Sequence, residues 1–236
     1  MVLLYQFERT WGIPNFSHFC CKIETYLRMA GIEYDIKTTL PLFAPKRKLP
    51  YIEDGDLKIA DSRFIIRHLR TNYKDLDESL TPAQSALSLA IQRLLEEHLF
   101  WVTMYSRWQY TEENWQATKN ATFSVLPPLI RDMTAIYYRH KIKQQIFGHG
   151  TGRHKADEIF ELGMLDIDAL SACLENKKYF LSDRPTTLDA SAFGFLINTL
   201  SCPIESPLKE YSLSKANLVN YIERIKAEYY PELTIA

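Results

Sequence analysis

Serine, histidine and cysteine fall within four residues at Ser17-His18-Phe19-Cys20, directly before a helical pattern of apolar residues. A helix N-terminus offers unpaired backbone N–H groups and the positive end of the helix dipole, so it favours a nearby anion such as a thiolate. A serine hydroxyl there can donate a hydrogen bond to that sulfur, or simply cap the helix. Cys20 brings a second chemistry, a thiol that could itself react. Its helical face is shared with Ile23 and Leu27, which reads as a buried structural thiol. Cys21 falls with Glu24, Thr25 and Arg28 and reads as exposed to oxidants. His18 either tunes local charge or is merely exposed.

Two further stretches carry chemistry. Lys48-Leu49-Pro50 stands before an apolar run, where proline removes a ladder donor and suits an edge strand or a cis bond. A cis Leu49-Pro50 would leave the Leu49 backbone free to pair with an extended ligand; a trans bond would be an ordinary strand start. Asp61-Ser62 opens a helix whose N-terminus could bind a carboxylate while Asp61 holds an ammonium, or the pair could act only as a cap. Together the three stretches describe a site for a peptide-like ligand with a thiol at one end and an amino-acid head at the other. Glutathione has that shape.

The elements that must position these residues are legible in outline. Val2 to Gln6 reads as a buried strand, and Phe19, Ile23, Tyr26 and Ala30 mark a helix ended by Gly31. Ile32 to Lys37 reads as a second strand. Leu49–Glu53 and Leu57–Ile59 flank the hairpin turn Asp54-Gly55-Asp56, and a helix comes next with Phe64, Ile65, Ile66 and Leu69 on its buried side. Tyr5 sits inside the strand pattern and reads as core.

From Thr81 onward only helices are expected. Leu87, Ile91, Leu94, His98, Trp101 and Tyr105 mark one, with His98 a satisfied core or interface side chain. Leu129 to Ile146 marks the next, after Pro127-Pro128. Phe160 to Leu174 is a third, and a capping box at Thr186-Thr187-Leu188-Asp189 opens a fourth. Leu218 to Tyr229 is the last, stopped by Pro231. The polar stretch Asn72 to Ser79 divides the chain into residues 1–76, a mixed sheet, and 77–236, all helical. Trp101, Met104, Tyr105 and Trp108 form an aromatic stripe on the first helix of the second part.

Composition narrows the classes. Twenty-eight Lys plus Arg against 29 Asp plus Glu give a net charge of -1, which argues against a nucleic-acid binder held by bulk charge. The N-terminus lacks a basic signal-peptide start, and the apolar stretch Ala190–Ile204 is too short to span a membrane. Four cysteines, two of them adjacent, point to a reducing cytosol. Gly148 to Gly152 lacks the Lys-Ser/Thr ending of a phosphate loop, Tyr137 to Lys143 reads as a solvated basic face, and no metal-ligating spacing is present.

The stretches NFSHFCCKIETYLRM (15–29), KLPYIED (48–54), EEHLFWVTMYSRW (96–108), Gly152-Arg153-His154 and DRPTTLDASAFGFL (183–196) resemble the glutathione transferase superfamily, in its failed axon connections and metaxin-like branch. The resemblance implies a thioredoxin-like first domain and an all-helical second, with glutathione as co-substrate between them. It puts Ser17 where serine-type transferases keep their catalytic hydroxyl, with Cys20 the alternative of cysteine-type members. By the same resemblance Lys48, Leu49, Pro50, Asp61 and Ser62 bind glutathione, and Trp101, Met104, Tyr105 and Trp108 wall a pocket for a small apolar electrophile. Homodimerisation and a cytoplasmic setting are also implied. A non-catalytic, metaxin-like interaction protein and a Cys20-dependent thiol–disulfide reductase stay open.

Overall fold

The computed structural model describes residues 1–233, apart from the side chain of Leu129. Val2, Leu4 and Gln6 are buried while Leu3 and Tyr5 are half-buried, the period-two signature of strand β1 (Val2–Gln6). Helix α1 (His18–Met29) crosses over to β2 (Tyr34–Thr38), which lies parallel to β1. Gly31, at a φ of 66°, supplies the left-handed turn that ends α1. Strands β3 (Tyr51–Asp54) and β4 (Leu57–Ala60) form the antiparallel hairpin, turning at Gly55 with φ 57°. The sheet order is β2-β1-β3-β4. Helix α2 (Ser62–Asn72) joins α1 on one face of it, where Leu4, Ile23, Leu27, Ile52, Ile65 and Leu69 pack together. This half has the thioredoxin-like arrangement expected.

The opposite face is covered more thinly. Between β2 and β3 the chain makes only one 3₁₀ turn, Pro41–Phe43, so no α-helix covers that side. Tyr5 is half-buried there against the Cys20, Leu49 and Tyr51 cluster: it stacks on Tyr51 with ring centroids 4.3 Å apart and donates its hydroxyl to Glu53 at 2.9 Å.

A linker, residues 73–81, leads to the helical half. Tyr26 donates to the carbonyl of Lys74 at 2.7 Å, and the Asp77 carboxylate accepts the Thr187 N–H at 2.8 Å, so both halves anchor this segment. Helix α3 (Pro82–Arg93) continues through a π turn, Leu94–Leu99, into α4 (Phe100–Tyr105) and a second π turn, Ser106–Tyr110. An i→i+5 turn takes up an extra residue and rotates the helix beyond it. Ile91 is buried as expected, but beyond it the buried stripe is Leu95, Leu99 and Val102, one position past Leu94, His98 and Trp101; Leu87, before the turn, lies exposed. Helices α5 (Glu112–Phe123), α6 (Pro128–His149), α7 (Ala156–Leu174), α8 (Thr187–Leu200), α9 (Pro207–Leu213) and α10 (Ala216–Tyr229) complete the fold. Two of them, α5 and α9, lack a clear apolar period in the sequence. Helix α8 is buried along its whole length and forms the centre of this half, which explains why its sequence is apolar all round.

The two halves meet where α1 lies against α8. A Cβ on Gly194 would stand 2.8 Å from the Lys22 nitrogen and 2.9 Å from the His18 carbonyl oxygen, so only glycine allows this approach. The contact corrects the reading of Cys21, which is fully buried. The polar side of α1 faces protein on both flanks, and Thr25 hydrogen-bonds the buried Tyr230 hydroxyl at 2.8 Å.

Candidate functional site

Ser17 is the N-cap of α1, with its hydroxyl accepting from the Cys20 N–H at 3.4 Å and its own N–H donating to Asn15 Oδ1 at 3.0 Å. It is half-buried, so the hydroxyl and the first turn of the helix remain reachable. The loop before it is braced from the helical half. Arg107, 4% exposed, donates to the Phe16 carbonyl at 2.6 Å and to Asn198 Oδ1 at 2.8 Å. Asn198 in turn donates to the Asn15 carbonyl at 3.0 Å. Neither residue is apparent as a site element in the sequence, because their partners lie 91 or more positions away.

His18 is neither exposed nor charged. It is buried between Phe100 and Phe195, its Nε2 lies 3.2 Å from Thr103 Oγ1, and burial, aided by Arg107, holds its pKa well below the ordinary value. A neutral ring here adds no charge to the helix start.

Two of the expected segments, and the strand end just before the third, meet in one small cluster. Cys20 packs with Ala44, Leu49, Tyr51 and Ala60, so the first turn of α1, the segment entering β3 and the end of β4 share it. The Leu49–Pro50 bond is cis, and both residues are buried, while Lys48 is exposed. Asp61 comes directly after Ala60 with φ 84°, exposed, accepting the Arg63 N–H at 3.1 Å; Ser62 beside it is buried. The cap role of Asp61 and an exposed carboxylate oxygen are thus both present.

Cys20 itself is fully enclosed, and burial pushes its thiol up to about 12 despite hydrogen bonds from Ser17 and the Phe7 backbone. A thiol held neutral near pH 7 is a poor nucleophile. Cys21 is pushed up further by the same cause.

Below the helix start runs a buried ion pair, Lys22 with Glu96, which Arg63 joins at 3.2 Å from Glu96 Oε2. It ties α1, α2 and the first π turn together. Nothing in the neighbouring sequence signals it, since Lys22 and Glu96 are 74 positions apart.

The aromatic stripe does not form one wall. Trp108 is buried in a separate cluster with Trp115, Phe123 and Ala135, against which Met104 packs. Tyr105 lies edge-on to Phe160, 5.9 Å between centroids, and Trp101 stacks on His149 at 4.9 Å. Trp101, Met104 and Tyr105 all lie on α4, and only Trp108 falls in the second π turn. The aromatic rings beside the α1 start are instead Phe19 and Phe100, both half-buried, 5.3 Å apart. His98 bonds Asp166 at 2.5 Å and links the first π turn to α7. Among the described residues no group of His, Cys, Asp and Glu could hold a metal ion.

Family models agree with this architecture: a glutathione S-transferase N-terminal domain matches residues 18–114 and a glutathione S-transferase C-terminal domain matches residues 163–225. The isoprene-epoxide–glutathione S-transferase of Rhodococcus sp. is 36% identical, over 97% of this chain and 99% of that protein. The chain belongs to the glutathione S-transferase family. This transferase-family chain is also 35% identical to failed axon connections of Drosophila melanogaster, across 98% of its own length but only 59% of that protein. Metaxin-1 of Mus musculus is 28% identical over 97% of the chain and 75% of that protein. Among solved structures, a glutathione transferase from Phanerochaete chrysosporium superposes with a TM-score of 0.68 at 14% identity, covering 97% of each chain. One from Ceriporiopsis subvermispora in complex with glutathione gives 0.67 at 16%, covering 96% of this chain and 97% of that one. No helix among the described residues is long and apolar enough to cross a membrane.

Proposed function

We propose that the chain binds glutathione at the seam between its halves and activates the thiol for attack on a small apolar electrophile. One observation supports the reading: Cys20, Leu49 and Ala60 pack in a single cluster, and Ser17, Pro50 and Asp61-Ser62 lie within three residues of them in the chain, with the Ser17 hydroxyl at the amino end of α1. Similarity to an isoprene-epoxide transferase along the full length of both chains supports it. In this reading the Leu49 backbone pairs with the ligand's cysteinyl unit, and Lys48 supplies a cation at the glycyl end. Asp61 and Ser62 hold the γ-glutamyl head.

An ordinary thiol has a pKa of roughly 8.5, so little thiolate forms at neutral pH. Lowering it by about two units takes roughly 2.7 kcal/mol of preference for the thiolate. A hydrogen bond from Ser17 to a charged sulfur, about 1.5–3 kcal/mol, plus a helix terminus of about 0.3–1 kcal/mol, is sufficient. Ser17 stabilises the thiolate and takes no proton. Phe19 and Phe100 supply the apolar wall, with Trp101 against Phe100 at 5.2 Å between ring centroids. Burial of Cys20 argues against the disulfide-exchange alternative. Cytoplasmic location and homodimerisation belong to the same proposal.

The test is equilibrium binding of glutathione, with thiolate formation followed by ultraviolet absorbance against pH. The native chain is expected to bind saturably at millimolar ligand or below and to ionise the thiol well under pH 8. Ser17→Ala should keep binding within a few-fold and raise the thiol pKa by one to two units. Failed axon connections at 35% identity favours a second reading, an interaction protein that has lost the chemistry. Absence of saturable glutathione binding would leave that reading alone.

A further inference from the structure

Helix α6 is apolar on two sides, and only one of them faces protein. Ala135 and Ile146 are fully buried, and Ile142 packs on the cluster of Trp108 and Trp115. These three fall at i, i+7 and i+11, a single stripe of the helix. On the outward side Met133 is 70% exposed and Ile136 68%, and Ile130, Tyr137 and Phe147 are each more than half exposed. A surface helix ordinarily presents charged and polar residues there. Apolar side chains gathered on one exposed face mark a contact surface.

A second observation is electrostatic. The chain as a whole has a net charge of -1, yet the stretch from Met133 to Ala156 contains no Asp or Glu and carries Arg139, Lys141, Lys143, Arg153 and Lys155. Arg139 is occupied, bonded to Glu112 at 3.2 Å. Lys141, Lys143 and Arg153 have no carboxylate within 4.0 Å among the described residues. Two of these cations lie over exposed rings of the same face: Lys141 Nζ is 4.7 Å from the Tyr137 centroid, and Arg153 Cζ is 5.0 Å from that of Phe147.

We propose that this face of α6, with the 3₁₀ turn Thr151–Arg153 that follows it, docks on an anionic lipid bilayer. Met133, Ile136 and Phe147 enter the acyl boundary, and Lys141, Lys143 and Arg153 meet lipid phosphates. Apolar and basic residues sharing one helical face are the pattern of helices that lie in the membrane interface, and tyrosine belongs at the headgroup level. A nucleic acid would engage the cations and leave the apolar side chains in water. A second copy of the chain would set like charges against each other. A bilayer needs no matching pocket, which suits the convex side of a helix. The contact is with the surface alone, because no helix among the described residues is long and apolar enough to cross. The face contains none of the residues assigned to glutathione or to its electrophile and does not depend on that reading.

Flotation of the full chain with phosphatidylcholine vesicles, with and without one-third phosphatidylserine, tests the proposal. Recovery with the anionic vesicles is expected, several-fold above that with neutral ones, and it should fall at half-molar salt. Met133→Ser/Ile136→Ser and, separately, Lys141→Gln/Lys143→Gln should each weaken partitioning by about tenfold or more. Both pairs are exposed, so melting temperatures should stay within a degree or two. Leu213→Ser, at an exposed apolar position on α9, should leave partitioning unchanged. No recovery with the anionic vesicles overturns the proposal and leaves a protein partner for this face. Equal recovery with neutral vesicles overturns it as well, as does undiminished partitioning in either double variant. A fall in particle mass by light scattering in Met133→Ser/Ile136→Ser would instead assign the face to a contact between copies.

Discussion

Arg107 spans the seam to donate a 2.6 Å hydrogen bond to the carbonyl of Phe16, the residue before Ser17. The position of the proposed catalytic hydroxyl is thus set from the other half of the molecule, through a buried cation bonded to backbone and to Asn198. Arg107→Gln removes that bridge and leaves the Phe16 carbonyl unpaired in the interior. Charged hydrogen bonds contribute about 1.5–3 kcal/mol each, so we expect a stability loss of about 2–4 kcal/mol in urea titrations. Glutathione thiol pKa should also rise, because Ser17 is no longer held. A variant that loses stability but ionises the bound thiol normally would show that Arg107 braces the fold without positioning Ser17.

Gly194 and Gly148 give predictions of opposite sign. A methyl at Gly194 collides with the backbone of α1, and overpacking of this kind costs about 1–3 kcal/mol. Gly148, near the end of α6, has open space around the same methyl. There alanine should be neutral or stabilising by up to about 1 kcal/mol, since it is the better helix former. Melting temperatures of Gly194→Ala and Gly148→Ala should move in different directions; equal shifts would mean the α1–α8 approach is looser than described.

Thiol chemistry separates the proposed mechanism from its cysteine-based rival. Cys20, Cys21 and Cys202 are buried and only Cys173 is partly exposed. With the Cys20 thiol pushed up to about 12, iodoacetamide at pH 8 should alkylate Cys173 alone in the folded protein. Intact-mass analysis and then peptide mapping read this directly. Modification of Cys20 at a rate faster than global unfolding restores the reductase reading.

Acid should loosen the C-terminal anchor. Burial pushes the Glu232 carboxyl up, but hydrogen bonds from Arg28 and Arg9 outweigh it and bring it down to about 2. A folded-state value below the ordinary 4.5 means the unfolded chain binds the proton more readily. The stabilisation is therefore complete above about pH 4.5 and is lost as pH falls through about 2. Urea midpoints measured across that window should fall less steeply for Glu232→Gln than for the parent chain. Parallel slopes would locate the acid sensitivity elsewhere.

Legibility in the sequence tracks the range of the interactions involved. The strand–helix–strand unit, the Asp54-Gly55-Asp56 hairpin and the Asp189 capping box are written in neighbouring residues, and Asp189 does accept from the Thr186 N–H at 2.9 Å. The three segments around Ser17, Leu49 and Asp61 can be named because each is a local cap or turn signal. The aromatic stripe misleads because large rings close together on one helix can reach different neighbours: Trp101 packs on His149, Tyr105 on Phe160 and Trp108 on Trp115. Cys21 misleads for a different reason: a polar helix face predicts solvent only when no second layer covers it. Lys22–Glu96 and Arg107–Phe16 are invisible because only the tertiary fold brings them together.

Helix α1 carries protein on both of its long sides, the sheet on one and α8 on the other. Severed after α2, the first third of the chain would hold a rod with one flank stripped, displaying a lysine, a thiol and a threonine that have no business in water together. Such a fragment has little prospect as a stand-alone module, however familiar its topology. The heritable unit here is the pair of halves: any shuffling that exchanges one must also carry a glycine on the incoming helix and a guanidinium on the incoming turn.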